Sequence, residues 1–375
     1  MKHEYYYHLL LLVLMVTLIS SCSDPSPIYI GYSGQLTGKI SDLGVNGRNG
    51  AILAVEHINA HNGINGRPLK LIVKDDLNTA EGAIKADQEL IDAGVVGIIG
   101  HMTSSQVLAA MPLVNESGVV MISPTASTPY LTGKADSFFR TIMENTVQSR
   151  ELSHYAHSAM DIKTVLPVVE QDNESYTFSF LDGFKRSFSY LGGAMLSEEV
   201  YSAKSAPSNW DHLVDRVSMQ NPDAILLICP GEDAVSIAHA IRNAGLETTI
   251  ISSAWAYTEQ LIKWGGQHVE SIIFAIDYAA DNPNPEFIKF RESYKNRFGT
   301  TPNFASAFSY ESVLALAEGL RKTNGNSKGL VESLAPSPVI KGVINSFRLN
   351  EYGDVERKIF ITTIQNGQYR TIEMR

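Results

Sequence analysis

Three loops rich in hydroxyl groups and glycine hold the residues of this chain that are best suited to bind a small molecule. They span residues 31–38 (GYSGQLTG), 100–106 (GHMTSSQ) and 123–128 (SPTAST), and each follows a short apolar run. Backbone N–H groups at the start of a helix lack intrahelical partners, and with the helix dipole they favour an anion. A carboxylate is the natural ligand of such loops. Ser104 and Ser105 are explained equally well as caps of the helix that they begin.

No constellation of residues in the sequence predicts catalysis. The ten histidines show no metal-ligand spacing, and no Gly-x-Ser-x-Gly elbow, Gly-x-Gly-x-x-Gly or Walker pattern occurs. Adjacent Asp75 and Asp76 are more typical of a solvated loop, and Cys229 follows an apolar run, as a buried structural thiol does. We therefore expect a protein without catalytic residues, metal or cofactor. An enzyme on the same scaffold is the weakest hypothesis, kept because fold does not dictate function.

Size and charge narrow the class of protein. With 375 residues and 44% hydrophobic content, the chain is long enough to build two cores, because single cores stop growing below this size. The net charge of −10 argues against nucleic acid or an anionic membrane surface as the main partner. Both would attract clustered Lys and Arg. Two lobes and a small-molecule partner are the simplest expectation.

The first residues are typical of an export signal. Lys2 precedes an apolar run at 9–19 that is too short to span a bilayer, and small residues then lead to Cys22. Residues 19–22 (ISSC) resemble the bacterial lipobox, in which the cysteine becomes the acylated first residue. We predict a lipoprotein signal in 1–22, lipidation of Cys22, a tether in 23–27 and an exported, lipid-anchored protein in the cell envelope. An unmodified cysteine beside an ordinary cleavage site is the alternative.

Strand-like runs alternate with helical periodicity along the rest of the chain, which predicts parallel βαβ units in a doubly wound α/β fold. A first set of strands is expected at 28–32, 69–73, 95–99, 119–122 and 138–142, and a second at 164–169, 194–200, 224–228, 249–252 and 272–275. An aromatic stripe at 180–191 has the spacing of a helix face packed on a sheet. Helices are expected at 286–298 and 305–320, and a hairpin pairing 343–349 with 358–364.

Eight segments together resemble the type I periplasmic binding proteins of the branched-chain amino acid (Leu/Ile/Val) receptor group, which serve ABC transporters. The resemblance covers nearly all of the chain after the signal. The segments are 34–38 (GQLTG), 50–59 (GAILAVEHIN), 63–69 (GINGRPL), 75–76 (DD), 98–101 (IIGH), 104–105 (SS), 121–125 (MISPT) and 139–141 (FRT).

The resemblance implies two doubly wound parallel-sheet lobes joined by a three-crossing hinge, with the ligand between them. We expect an N-terminal lobe of 28–145 plus 277–348 and a C-terminal lobe of 146–276 plus 349–375. The crossings are expected near 143–147, 275–279 and 347–351. Hinge closure then shifts the population from an open to a closed form through contacts that need both lobes.

The resemblance also implies which residues bind the ligand. Carried over by position, hydroxyls of the first lobe hold the carboxylate and amino groups of an amino acid, whereas Tyr176 is an aromatic of the second lobe. The acidic residue that meets the ligand ammonium is replaced by Ala254, and Glu232 or Asp233 would have to take its place. Trp255 is explained either by stacking on the ligand or by packing. The candidate ligand-binding set is Ser104, Ser105, Thr125, Ala126, Ser127, Tyr176, Asp233 and Trp255.

The sequence therefore predicts a solute-binding lipoprotein that delivers a small amino-acid-like or other organic ligand, including carboxylates and aromatics, to an ABC transporter permease. The rival hypothesis is a ligand-sensing receptor of the same fold that signals to a membrane partner.

Overall fold

The computed structural model describes residues 26–38, 40–205 and 209–375. Its first sheet has five parallel strands in the order β2-β1-β3-β4-β5. These strands are β1 (Ile28–Gly34), β2 (Leu69–Asp75), β3 (Gly97–Ile99), β4 (Val120–Ser123) and β5 (Phe138–Arg140). The strands β1, β3, β4 and β5 are almost completely buried, as a parallel sheet covered on both faces requires, whereas the edge strand β2 is mostly half-buried.

The second sheet has the order β15-β14-β11-β10-β9-β6-β7, with β8 also paired to β6. Its strands are β6 (Thr164–Glu170), β7 (Ala194–Met195), β8 (Glu199–Tyr201), β9 (Ala224–Ile228), β10 (Thr249–Ser252), β11 (Ile273–Ile276), β14 (Phe360–Gln365) and β15 (Gln368–Met374), and a small separate hairpin joins β12 (Ile340–Lys341) to β13 (Ser346–Phe347). The pairs β11–β14 and β14–β15 are antiparallel, and the other pairs of this sheet are parallel.

Helices separate most consecutive parallel strands in both sheets. They are α1 (Asp42–Ala60), α2 (Ala80–Asp92), α3 (Ser104–Ser117), α4 (Asn145–Ser158), α5 (Glu174–Tyr190), α6 (Asp211–Gln220), α7 (Gly231–Asn243), α8 (Glu259–Gly265), α9 (Pro285–Phe298), α10 (Phe304–Lys322) and α11 (Leu330–Leu334). The predicted α/β class with two parallel-sheet lobes is confirmed. The lobe boundaries given above stay a prediction.

Close helix contacts hold each lobe together. In the first lobe, α10 returns to pack on α1, where a Cβ added to Gly50 would lie 2.0 Å from the carbonyl oxygen of Ser306. In the second lobe, Phe180, Phe184 and Phe188 of α5 are fully buried. Each buried aromatic side chain contributes on the order of 1.5–3 kcal/mol through the hydrophobic effect. The interpretation of this stripe as core is confirmed.

The C-terminal hairpin differs from the sequence-based prediction. β14 pairs with β11 and β15, not with 343–349, so the predicted pairing of 343–349 with 358–364 is wrong. Asn366 and Gly367 form the two-residue turn between β14 and β15, and both have positive φ, 54° and 66°. Asn-Gly is the strongest short-range signal of a hairpin turn. The predicted strand at 194–200 is also divided, into β7 and β8.

Candidate functional site: a cleft between the two sheets

A narrow cavity, in which the centre of a water-sized molecule can occupy about 20 Å³, lies between the two lobes. Loops that follow strands of both sheets form its walls, together with the first turns of α1, α4, α5 and α10, at the position where doubly wound sheets bind ligands. No charged side chain is among the described residues that line it. They are Leu43, Met102, Thr103, Ser104, Thr125, Ser127, Ile142, Gln148, Asn173, Tyr176, Ala254, Trp255 and Phe304.

Hydroxyl groups of the first lobe form one wall of the cavity. Thr125 donates its hydroxyl to the carbonyl oxygen of Met102 at 2.5 Å, which holds the loops after β3 and β4 together. Ser127 is buried, and its hydroxyl oxygen has no hydrogen-bond partner among the described residues. A buried hydroxyl without a partner costs about 1–3 kcal/mol, so a ligand that bonded to it would relieve that cost.

Ser104 does not cap its own helix. The residue before α3 is Thr103, which makes no side-chain capping bond to that helix, and the Ser104 hydroxyl accepts a hydrogen bond from the backbone N–H of Thr128 at 3.3 Å. The capping explanation of Ser104 is therefore wrong. Because Met102, Thr103 and Ser104 all line the cavity, the N-terminus of α3 faces it, where the helix dipole favours negative charge.

A buried charged cluster of His101, Asp76 and Asp87 packs next to this wall. The His101 ring lies between two carboxylates, with Nδ1 2.8 Å from Asp76 and Nε2 3.1 Å from Asp87. Burial opposes a charged imidazole, but the two carboxylates outweigh it and raise the pKa of His101 to about 10. The backbone carbonyl of His101 accepts the Ser123 hydroxyl at 2.7 Å. The cluster thus ties the loop after β3 to the loop after β4.

Glycine is required immediately before this cluster. Gly100 has φ +143°, and a Cβ added there would lie 2.1 Å from the backbone oxygen of Ser33. Only glycine adopts this region without strain and allows such a close approach. The Ile98-Ile-Gly-His101 segment of the sequence is therefore a structural requirement of the loop that leads into the cavity.

Aromatic side chains of the second lobe form the opposite wall. Tyr176 and Trp255 meet edge to face with ring centroids 5.8 Å apart, and Ala254 lies beside them on the cavity surface. Burial raises the pKa of the Tyr176 phenol, whereas the Ser253 hydroxyl and the Trp255 backbone oppose the rise. Neither makes a hydrogen bond of normal geometry to the phenol, so its oxygen has no partner among the described residues.

Contacts of Ser105 with Asn173 and Ser175 bridge the lobes at the edge of the cavity. The backbone N–H of Ser105, in the first turn of α3, donates to Asn173 Oδ1 at 3.2 Å. The hydroxyls of Ser105 and Ser175 are 3.4 Å apart. Because these contacts need both lobes, the structure represents a form in which the cleft is closed. Ser105 lies at the lobe interface and does not line the cavity.

Two other candidates also lie outside the cavity surface. Ala126 is buried behind the wall, and its backbone N–H donates to the Ser123 hydroxyl at 3.0 Å. Asp233 is buried in the first turn of α7, where its carboxylate accepts the Tyr201 hydroxyl at 2.8 Å. Glu232 lines a different cavity at the outer edge of the cleft. Neither acid reaches the cavity in this closed form.

Gln148 and Asn173 line the cavity but were not among the residues predicted from sequence. Gln148 is fully buried in α4, and its Nε2 donates to Asp277 Oδ1 at 3.1 Å. Burial raises the pKa of Asp277 to about 6, and Arg357 opposes this rise. The polar helix surface of α4 carries no local signal that one glutamine turns inward, so only the packing of the lobes identifies it.

Metal sites, membrane-spanning helices and the two cysteines were also considered in the sequence. Within residues 26–38, 40–205 and 209–375, no group of three or more His, Cys, Asp or Glu is arranged to hold a metal ion. No described helix is long and apolar enough to cross a membrane. Cys229, which directly follows β9, is fully buried, as expected. Cys22, the predicted lipidation site, lies outside the described residues.

Known proteins share the sequence pattern and the fold over almost the whole described chain. A Leu/Ile/Val-binding protein homologue from Brucella melitensis is 24% identical over 342 residues, 89% of this chain and 90% of its own length. The structure of the branched-chain amino acid transporter substrate-binding protein LivJ from Streptococcus pneumoniae, in complex with isoleucine, has a TM-score of 0.85 at 21% identity. The match covers 92% of this chain and 99% of the LivJ chain.

A second solved structure has a different kind of ligand. It is the solute-binding protein of an ABC transporter from Rhodopseudomonas palustris in complex with 3,4-dihydroxybenzoic acid. The two structures superpose with a TM-score of 0.84 at 22% sequence identity. The match covers 93% of this chain and 97% of the Rhodopseudomonas chain. At these identities the structural likeness establishes the fold. The family model described as periplasmic binding protein matches residues 27–368. This chain therefore belongs to the periplasmic binding protein family, whose members are extracytoplasmic solute-binding proteins and not enzymes.

Proposed function

We propose that this protein is the solute-binding lipoprotein of an ABC transporter, and that its ligand is a small organic acid with an apolar or aromatic body. The observation that carries the ligand class is the lining of the cleft. Hydroxyls and the N-terminus of α3 face apolar and aromatic side chains across it, and no lining residue in the described chain is charged. A carboxylate and an apolar body match these two walls.

The same lining argues against an ordinary amino acid. An ammonium group taken from water into a closed cleft needs a counter-charge or a full set of acceptors. By the resemblance, Ala254 stands where amino-acid receptors carry an acid; it lines the cavity, and Asp233 is already bonded to Tyr201 outside it. Among the relatives, ligands of both kinds occur: LivJ holds isoleucine and the Rhodopseudomonas protein holds an aromatic acid.

Delivery to a permease and anchoring through Cys22 complete the proposal. The two solved relatives are transporter binding proteins, and residues 19–22 of this chain resemble a lipobox. We expect Cys22→Ser to release the protein from the membrane fraction in a bacterial host without changing ligand affinity. Membrane attachment that persists in this variant, when a Cys229→Ser control behaves like wild type, would contradict anchoring through Cys22.

The ligand class is tested by a thermal-shift screen of the protein lacking residues 1–22. A ligand that binds only the folded form raises its melting temperature. The screen compares benzoate and hydroxybenzoates with leucine, isoleucine and valine, and calorimetry then gives the affinity of each acid that causes a shift. Shifts with the aromatic acids and none with the amino acids would support the proposal. The reverse pattern would place this chain with the amino-acid receptors.

A further inference from the structure

The amide of Gln148 lies between the ligand cavity and the strands that connect the lobes. Its side chain lines the cavity and is fully buried. Gln148 Nε2 donates to one carboxylate oxygen of Asp277, and the other oxygen accepts the backbone N–H of Met143 at 2.9 Å. Met143 lies where the chain leaves the first sheet after β5, and Asp277 lies just after β11. A single carboxylate therefore holds two connecting strands and this amide together.

Chemistry determines which way the amide points. An ionised carboxylate only accepts hydrogen bonds, so the NH2 group of Gln148 must face Asp277. Gln148 Oε1 is then left without a partner among the described residues, although it is buried. A buried acceptor without a partner is unfavourable, and an amide oxygen cannot donate. The group that satisfies it must be a hydrogen-bond donor.

We propose that Gln148 determines specificity in the cleft, by accepting a hydrogen bond from a hydroxyl group on a carboxylate-containing ligand. This inference rests on the proposed function and deepens it, because it adds a required second polar group to the small organic acid. The donor is a neutral hydroxyl because the cavity offers no charged side chain to an ammonium among its described lining residues. Ser127 and Tyr176 also have unpaired oxygens, but a hydroxyl donates or accepts and does not restrict the ligand in the same way.

A comparison of three ligands on two proteins tests the proposal. Benzoate is compared with 3- and 4-hydroxybenzoate on the protein lacking residues 1–22, with wild type and Gln148→Met measured by calorimetry at pH 8. We expect wild type to bind one hydroxybenzoate at least tenfold more tightly than benzoate. In Gln148→Met this preference should fall to below threefold, while the affinity for benzoate changes by less than threefold. The preference ratio isolates the hydroxyl contact from general effects of the substitution.

Two outcomes would overturn the proposal. An equal preference ratio in wild type and Gln148→Met, with all affinities unchanged, would show that the hydroxyl is bound elsewhere. Equal loss of affinity for benzoate and the hydroxybenzoates would assign Gln148 a purely structural role beside Asp277. If Gln148→Met does not fold, as judged by circular dichroism, Gln148→Asn replaces it, because it keeps both amide groups but withdraws them by one methylene.

A second ligand series separates this inference from the proposed ligand class of small organic acids. It comprises 4-methylpentanoate, 2-hydroxy-4-methylpentanoate and leucine, which carry hydrogen, hydroxyl and ammonium at the same carbon. If only the aliphatic hydroxy acid binds and its preference is lost in Gln148→Met, the role of Gln148 stands and the body of the organic acid is aliphatic instead of aromatic. If benzoate and the hydroxybenzoates bind wild type equally, the ligand class stands and the role of Gln148 is wrong. Tight binding of leucine alone would overturn both.

Discussion

The two walls of the cleft satisfy their polar groups in different ways. In the first lobe, most loop hydroxyls are bonded to a neighbouring loop: Thr125 to Met102, Ser104 to Thr128, and Ser123 to the buried His101, whereas the Ser127 hydroxyl has no partner among the described residues. In the second lobe, the phenol of Tyr176 and the amide oxygen of Gln148 are buried without partners among the described residues. Preorganised groups bind at a lower entropic cost, whereas unpaired groups gain most from the correct ligand. The comparison suggests that the first lobe supplies general affinity for an acid and the second lobe selects which acid.

Removing the positive charge of His101 is the strongest test of whether the first wall is preorganised. His101→Asn leaves Asp76 and Asp87 buried without their cation, and we expect the free energy of unfolding to fall by about 3–5 kcal/mol. Urea denaturation at pH 7 measures it. The control is His212→Asn on the surface of the second lobe, which should change stability by less than about 0.5 kcal/mol. Similar values for both variants would mean that the cluster does not stabilise the wall.

The same cluster predicts how stability depends on pH. The pKa of His101 is about 10 in the folded protein and about 6.5 in an unfolded chain. The stability due to this raised pKa is complete below pH 6.5 and is lost as the pH rises toward 10. From pH 7 to 9 we expect the free energy of unfolding to decrease by up to about 1.4 kcal/mol per pH unit. A flat profile in wild type, or an equal slope in His101→Asn, would show that His101 is not charged when buried.

Ser104→Ala tests whether the first wall contacts the ligand. We expect binding of the acid found in the thermal-shift screen to weaken by about 1–3 kcal/mol, because the Thr128 N–H and the ligand both lose a polar partner. Calorimetry measures the affinity. Ser117→Ala at the other end of α3 removes a hydroxyl bonded only within that helix region and should leave affinity unchanged. Unchanged affinity in Ser104→Ala would restrict Ser104 to holding the loop.

Ala254→Asp changes the second wall in the direction of an amino-acid receptor. A carboxylate at this position should repel an organic acid and weaken its binding by about tenfold, roughly 1.4 kcal/mol, while leucine begins to bind. Ala254→Asn has nearly the same size without the charge and serves as the control in the same calorimetric titration. If both variants lose affinity equally, the effect is steric and the missing acid does not determine the ligand class.

Much of the fold could be predicted from sequence because its signals are local. Apolar runs at strand length, such as 224–228, and the helical spacing of Phe180, Phe184 and Phe188 depend only on which face is buried. The C-terminal hairpin was missed although Asn366-Gly367 is a strong turn signal, because 343–349 also looked like a strand. Pairing between strands depends on which edge is free in the folded sheet, and this is not encoded by either strand alone.

The site was predictable to the extent that its residues belong to loops with a recognisable motif. Ser104, Thr125, Ser127, Tyr176 and Trp255 all line the cavity. Ser105 instead bridges the lobes, Ala126 lies behind the wall, and Asp233 is bonded to Tyr201. Position in a motif indicates the loop, but not which way each side chain points.

The sequence by itself determined the alternation of strands and helices, the two lobes, the family and the loops that meet at the ends of the strands, since each of these follows from local periodicity and motif. Only the tertiary structure decided which polar atoms remain unpaired when the lobes close. Gln148 illustrates the reason: its free oxygen exists because Asp277, 129 residues away in the chain, occupies its nitrogen. Such a residue acquires its function from a contact between distant segments, and no local pattern contains that contact.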